Sequence, residues 1–415
     1  MMGLGLVGCS NNNVEAPTQD GKISGDVEWW TNNLSKGFTP YLTNLISTFE
    51  DAHPDVKIKW VDVAPTDMSR KYLAAVASGS VPDAVNLSSA EIGAFRSTLA
   101  DLNDYFSDKD LATYQPGLAK ALKTDGKQYG VPWYNGGGLI SYYRGSVMEK
   151  VGFSVDKPAT SFDDTLELAQ EVKSTTGTYG MNIAFLFTLP YYYGVPVLNA
   201  DRTKAAFNTP EMVKVLTSLK KYYDSGALAP GTIAKDWHNY PQSLANKQIA
   251  FMPANWATDI GGLKQNAPEV YDDLIVAPGP TSPDGHAMLN GQQTYVIPAK
   301  SKNKPAAAEW IKFVTSAQGQ LEFCKLVAIY PSTVATLKDS FFTASSGTTA
   351  TDKARELVVS SLSGSGLDDV GSYGTSHDIE LQDVFAEQIR AALSGTKTAE
   401  EALESAEEQW NKILG

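Results

Sequence analysis

Rings stand beside amides at several places in this chain. Trp133 and Tyr134 precede Asn135, Asn255 precedes Trp256, and Gly291 leads into Gln292 and Gln293. Trp29-Trp30, Tyr191-Tyr192-Tyr193 and Trp237-His238 supply further aromatic groups. An aromatic plane stacks against the C–H face of a saturated ring, and an amide donates and accepts hydrogen bonds at once. That pairing suits a ligand ringed by hydroxyls, which also do both. An anionic ligand would call for Arg, Lys or bare helix N-termini, and these stretches themselves hold no Arg or Lys.

Signatures of catalysis are missing from the sequence. It holds no HExxH, GxSxG or GxxxxGK[ST] pattern, and its four His residues, His53, His238, His286 and His377, stand far apart without metal-ligand spacing. The expectation is a binding protein with no catalytic residues, cofactor or metal. A secreted glycosidase stays open as a distant alternative, because it needs only two carboxylates roughly 5–10 Å apart in space. A net charge of −13 argues against nucleic-acid binding, which needs clustered Lys and Arg to neutralise phosphates.

The elements that would position these residues alternate along the chain. Trp29 and Trp30 lie on a strand-like run, so they point to opposite faces, and one core and one ligand-facing ring are expected. Thr39-Pro40 offers an N-cap and first helical residue, with Tyr41, Leu42, Leu45, Ile46 and Phe49 on one face. Val56–Val63 alternates as a strand, 69–78 is helical and 83–87 is a short strand. This βαβαβ start implies a mostly parallel sheet with helices on both faces. Further helices are expected at 162–174 after Ser161, from Pro210 to Tyr223, at 305–314 and at Asp378–Leu393. Thr398 with Glu401 reads as a capping box for a last helix buried through Ala402, Ala406, Trp410 and Ile413. The Gly/Ser/Thr-rich stretches 345–351 and 360–374 read as surface loops.

With 415 residues the chain has room for two domains, and its 42% hydrophobic residues can fill two cores. Two Cys occur, Cys9 and Cys324. The start, MMGLGLVGCS, places small residues ahead of Cys9 in the manner of a lipoprotein processing site, and residues 10–20 are polar and aperiodic like a tether. A basic n-region and a longer apolar stretch are expected ahead of Gly3 in the full gene product. With Cys9 lipidated, Cys324 has no disulfide partner and reads as a buried small hydrophobe.

Four collinear stretches carry a family resemblance: VEWWTNN with FTPYLTNLISTFEDAHPDVKIKW; AAVASGSVPDAVNLSS; DGKQYGVPWYNGGGLISYYRGSVMEKVGF; and IAFMPANWATDIGGL with YVIPAKSKNKPAAAEWIKFVTSAQGQ. In these the chain resembles the extracellular solute-binding proteins of ABC importers, in the carbohydrate branch that includes maltose-binding protein. The resemblance implies an α/β, two-lobed periplasmic-binding-protein fold, each lobe a mostly parallel sheet flanked by helices, with a ligand cleft between. One lobe would hold residues 23–132 and 291–331, the other 133–290 and 332–415, after a tether at 1–22. The chain would cross between lobes near Val131–Asn135, near 289–293 and near 330–333. Gly136-Gly137-Gly138 would serve as a flexible crossing or an ordinary turn.

The implied activity is capture of an oligosaccharide by hinge closure and delivery to permease subunits, by a monomer lipid-anchored to the outer face of the membrane through Cys9. Relatives in the same branch carry glycerol phosphates, which gives the alternative ligand class. The cleft residues implied are Trp30, Asp67, Asn86, Ser88, Trp133, Tyr134, Asn135, Tyr192, Trp237, Asn255, Trp256, Gly291 and Gln292. Asp67 is either a hydroxyl acceptor or a helix cap. Trp60, Trp310 and Trp410 are expected to be structural.

Overall fold

The computed structural model describes residues 23–135, 140–235, 240–289, 292–327, 329–344, 347–363 and 366–415. Strand β1 (Gly25–Asn32) pairs in parallel with β2 (Val56–Val63) and with β3 (Ala84–Ser88). Alternation along β1 sends Trp29 to one face of the sheet and Trp30 to the other. Helix α1 (Ser35–Ala52) joins β1 to β2 and buries Leu42, Leu45 and Phe49. It begins a turn before the Thr39-Pro40 start expected from sequence, and Pro40 lies inside it. The cause is tertiary: the Asp62 carboxylate at the end of β2 accepts from the backbone N–H groups of Leu34 and Ser35, both at 2.9 Å, and so caps the helix from a neighbouring strand. Helix α2 (Pro65–Ser78) also starts earlier than expected, with Pro65 in its first turn.

The first sheet continues beyond β3 with Gln293–Val296, Val131–Asn135 and Tyr330–Pro331. These three strands run antiparallel to their neighbours, and the second sheet, Phe251–Asn255, Ile140–Arg144 and Leu274–Pro278, is antiparallel throughout. The sheets are therefore mixed and antiparallel, not mostly parallel. In these two sheets β1 to β3 are joined by helices, the connection that parallel strands need, whereas the antiparallel strands arrive from elsewhere in the fold.

Val131–Asn135 belongs to the first sheet and Ile140–Arg144 to the second. Ala287–Leu289 pairs in parallel with Leu367–Asp369, just before Gln293–Val296 joins the first sheet. After Tyr330–Pro331 the chain returns to the second sheet, where the helix Ala350–Ser363 packs on Leu274–Pro278. That helix lies between the loops expected at 345–351 and 360–374 and overlaps the end of the first and the start of the second, and the short strand Leu367–Asp369 falls within the second; 347–349 and 370–374 carry neither helix nor strand. Ala354, Val358 and Leu362 are buried along one face of the helix.

Packing accounts for most of the tryptophans. Trp29 meets Trp310 edge-on at 5.0 Å, and Phe49 meets Trp310 at 5.1 Å. Across the molecule Trp410 meets Phe207 at 4.9 Å under the capped C-terminal helix, with Ala402 and Ala406 buried beside it. Cys324 is buried, and burial pushes its thiol well above the ordinary range, so it behaves as a hydrophobe. No helix among the described residues is long and apolar enough to cross a membrane.

Candidate ligand-binding site

The end of the Phe251–Asn255 strand is irregular. Its register against Ile140–Arg144 shifts between Ile140 and Tyr142, and Ala254 adopts φ +51°, a left-handed conformation that costs an L-residue roughly 1–2 kcal/mol. Such a bulge re-aims the side chains that follow. Here they are Asn255, which is 4% exposed, and Trp256, partly exposed at the N-cap of the helix Ala257–Asn266. The Trp256 carbonyl accepts from the Tyr142 hydroxyl and, at 3.1 Å, from the Asp259 backbone N–H, which fixes the residue by its backbone.

Around Asn255 lies a cavity of about 30 Å³ lined also by Asn182, Tyr192 and Tyr240. The Tyr240 hydroxyl donates to the Asn182 carbonyl at 2.7 Å, and Gly231 approaches the Asn182 amide so closely that a Cβ there would lie 2.6 Å from Nδ2. Asn182 Oδ1 and Asn255 Nδ2 are both buried without a hydrogen-bond partner. Burial holds the Asp259 carboxyl up at about 7. The Tyr142 and Tyr240 hydroxyls are raised well above their ordinary range, first by burial and then, among other charges, by that of Asp259.

A second polar group sits at the ends of the first sheet's strands. Asn86 is fully buried and donates to Gln293 Oε1 at 3.2 Å and to the Thr294 carbonyl at 3.0 Å, leaving its own Oδ1 without a partner. Gln292 is fully buried too; it donates to the Leu118 carbonyl at 3.2 Å, and its Oε1 has no partner. Ser88 caps helix α3 (Ser89–Phe95): its N–H and hydroxyl both donate to Glu91 Oε2 at 2.9 Å. Asp67 lies in the first turn of α2 and pairs with Arg70 at 2.8 Å.

Other nominated residues pack elsewhere. Trp30 is 7% exposed, in an apolar cluster with Met68, Tyr72 and Phe95, and its indole N–H donates to Glu28 at 2.8 Å. The expected division into one core and one ligand-facing ring thus becomes two cores on opposite faces of β1. Trp133 is 1% exposed and stacks on Phe323 at 5.3 Å and 7°, with Tyr134 edge-on to both. Trp133 belongs to the core under the first sheet, and the partly buried Tyr134 packs against that core. Tyr192, by contrast, lines the cavity beside Asn255 and stacks there on Phe162 at 4.6 Å. Asn135 pairs through its backbone with Tyr330. Trp237, Gly291 and Cys9 lie outside the described residues. Sequence reading missed Asn182, Tyr240 and Asp259. Of these only Asp259 left a signal, as an acidic residue in the first helical turn after Trp256.

The two halves of the fold also meet beside the crossings. Arg96 donates to the Gly374 carbonyl at 2.7 Å, and Gly93 abuts Thr375 so tightly that a Cβ would lie 2.1 Å from its carbonyl oxygen. Nearby, burial pushes the Asp369 carboxyl up to about 7; the Ser89 hydroxyl lowers it and the Asp378 charge raises it. A carboxyl at about 7 when folded and about 4 when unfolded contributes stability that is complete below about pH 4 and lost as pH rises through 7. Asp369→Asn, which stays neutral, should therefore raise the Tm at pH 8 and change it little at pH 4. An equal shift at both pH values in thermal unfolding would contradict this assignment.

The fold alone leaves the family open, but the comparison of sequences does not. Residues 44–351 match the model of the bacterial extracellular solute-binding proteins. The chain belongs to that family. A relative, the multiple sugar-binding protein of Streptococcus mutans, is 24% identical over 77% of this chain and 79% of its own length. The sn-glycerol-3-phosphate-binding periplasmic protein of Rhizobium meliloti is 23% identical over 74% of this chain and 72% of its own. A crystal structure of a protein from Synechococcus sp. MITs9220 superposes with a TM-score of 0.83 at 24% identity, covering 94% of this chain and 98% of that one. The two-lobed architecture of this solute-binding protein, with its mixed α/β lobes, follows that of these structures, and the family places it outside the cytoplasm.

Proposed function

We propose that this solute-binding protein captures a neutral oligosaccharide between its lobes by hinge closure, releases it unchanged, and delivers it to the permease of an ABC importer. The observation that carries the reading is the set of buried, partnerless and uncharged polar atoms. Asn86, Gln292 and Asn182 each present an oxygen acceptor, and Asn255 presents an N–H donor. A sugar hydroxyl both donates and accepts, so it satisfies either kind. A phosphate group ionised at neutral pH chiefly accepts, and would leave the amide oxygens unmatched. The partly exposed Trp256 beside Asn255 supplies a plane for a sugar face. The name of the Streptococcus mutans relative supports a sugar, and that of the Rhizobium meliloti relative supports the glycerol phosphate alternative.

Thermal-shift screening separates the two, because a ligand that binds only the folded state raises the Tm. A neutral oligosaccharide should give the largest shift. A larger shift from sn-glycerol 3-phosphate than from any sugar would contradict the proposal.

The reading extends to the N-terminus, with the protein acting as a monomer held at the outer face of the membrane through lipidated Cys9. The run Leu6-Val7-Gly8-Cys9 motivates it. Cys9→Ser should shift the protein from the membrane fraction to the soluble one in a native host. Wild-type protein found wholly soluble and unlipidated would refute the anchor and leave the ligand reading intact.

A further inference from the structure

Helices α1, α2 and α3 all begin at one edge of the first sheet, and each has an acidic side chain of the chain's own at that end. Strands β1 to β3 are parallel, so their carboxyl ends, Asn32, Val63 and Ser88, lie along this edge. Gln293 pairs there with Ser88 and with Tyr134, and beyond Asn135 the chain passes to the second sheet at Ile140. The edge therefore faces the second lobe. It is also where an open α/β sheet receives its ligand, and the fully buried Asn86 and Gln292, each with an amide oxygen that lacks a partner, lie close to it.

An anionic group would bind at such an edge through free N–H groups at the positive end of a helix. Those donors are already engaged. At α1 the Asp62 carboxylate accepts from the Leu34 and Ser35 N–H groups and, at 2.7 Å, from the Thr31 hydroxyl. Burial raises the Asp62 carboxyl, but these donors outweigh it and hold the group below the usual carboxylate range, so it is charged at neutral pH. At α3 the Glu91 carboxylate accepts from the Ser88 N–H and hydroxyl and, at 2.6 Å, from the Ser69 hydroxyl. The first turn of α2 holds Asp67 and Pro65, which has no N–H to offer. The basic residues on the first two turns of these helices are Lys36, Arg70 and Lys71. Arg70 is engaged by Asp67, Lys71 lies over the Trp30 ring at 5.5 Å, and Lys36 is exposed, where its charge is screened. We infer that Asp62 and Glu91 are specificity determinants, built-in anions that exclude anionic ligands from the cleft. The inference rests on the neutral-oligosaccharide reading and names the residues that enforce it. Selectivity of this kind works by repulsion: an approaching phosphate or carboxylate meets a negative charge bonded to the donors it would need, and an uncharged hydroxyl is not repelled.

Asp62→Asn and Glu91→Gln test it, since each keeps the size of the side chain and one oxygen acceptor and removes the charge. Calorimetric titration with sn-glycerol 3-phosphate and with the neutral oligosaccharide that gives the largest thermal shift is run on the wild-type protein, on both variants and on their combination. The wild-type protein should bind the phosphate more weakly than the sugar by tenfold or more. The ratio of phosphate to sugar affinity should rise in each variant, and by tenfold or more in the combination. A merely structural cap would lower the ligand-free Tm and leave that ratio where it was, which overturns the inference and leaves the oligosaccharide reading standing. Should the variants not fold, the wild-type protein decides through the same sugar and its counterpart oxidised to a uronic acid at one end, titrated at low and at high salt. Repulsion predicts that the uronic acid binds more weakly and that the gap narrows as salt is added; an absent gap, or one that salt does not change, overturns the inference alone. Tighter binding of sn-glycerol 3-phosphate than of any sugar by the wild-type protein overturns both.

Discussion

Trp256→Ala should weaken binding of the captured sugar by tenfold or more, about 1.4 kcal/mol or beyond, with the ligand-free Tm almost unchanged. The structure explains why the two quantities separate. Trp256 is held through its backbone, whose carbonyl takes the Tyr142 hydroxyl and the Asp259 N–H, and both bonds survive loss of the indole. The residue is partly exposed at the helix start, so its truncation should cost less stability than that of a fully buried ring. Trp410→Ala is the control. That ring is fully buried against Phe207 and Phe385, and its loss should cost about 3–5 kcal/mol of stability while leaving affinity in the remaining folded protein nearly normal. Calorimetry on the two variants decides, and the reverse pattern would remove Trp256 from the site.

Trp133→Ala should destabilise the fold about as much as Trp410→Ala. Stacked on Phe323 and in contact with Tyr134 and Tyr295, the ring is 1% exposed in the core under the first sheet. Removing it should cost about 3–5 kcal/mol, and more than the same change at Trp256 by several-fold. Denaturant unfolding measures this directly: a lower midpoint at constant slope is expected. A ligand-facing Trp133 would give the opposite, lost affinity at wild-type stability. Tyr134→Phe is predicted to be mild, since its ring contacts remain.

Much of the architecture was legible because local chemistry and tertiary structure agree. Ser161, Thr209 and Thr398 each cap the helix read from them, and the stripe Ala402, Ala406 and Trp410 is buried. The start of α1 was not legible, because its cap is Asp62, distant in sequence. Nor was the direction of the later strands, which depends on crossings between lobes and leaves no periodicity.

The candidate site divides in the same way. Aromatic residues in a strand look alike whether they face a ligand or a core, so Trp30 and Trp133 were nominated alongside Trp256, and only packing tells them apart. Asn182 could not be found from sequence, since its role comes from Gly231 and Tyr240, far along the chain. The family resemblance nominates Asn255-Trp256 as a ligand-facing turn, and the register shift with the left-handed Ala254 marks an irregular strand end there.

The central claim is that a neutral oligosaccharide is bound and not transformed. Its most direct test is calorimetric titration of the wild-type protein with the sugar selected by the thermal screen and, in parallel, with sn-glycerol 3-phosphate, followed by mass analysis of the recovered ligand. Saturable one-to-one binding of the sugar, no comparable binding of the phosphate, and recovery of the sugar at its original mass are predicted. Tighter binding of the phosphate, or a sugar recovered shortened, would contradict the account.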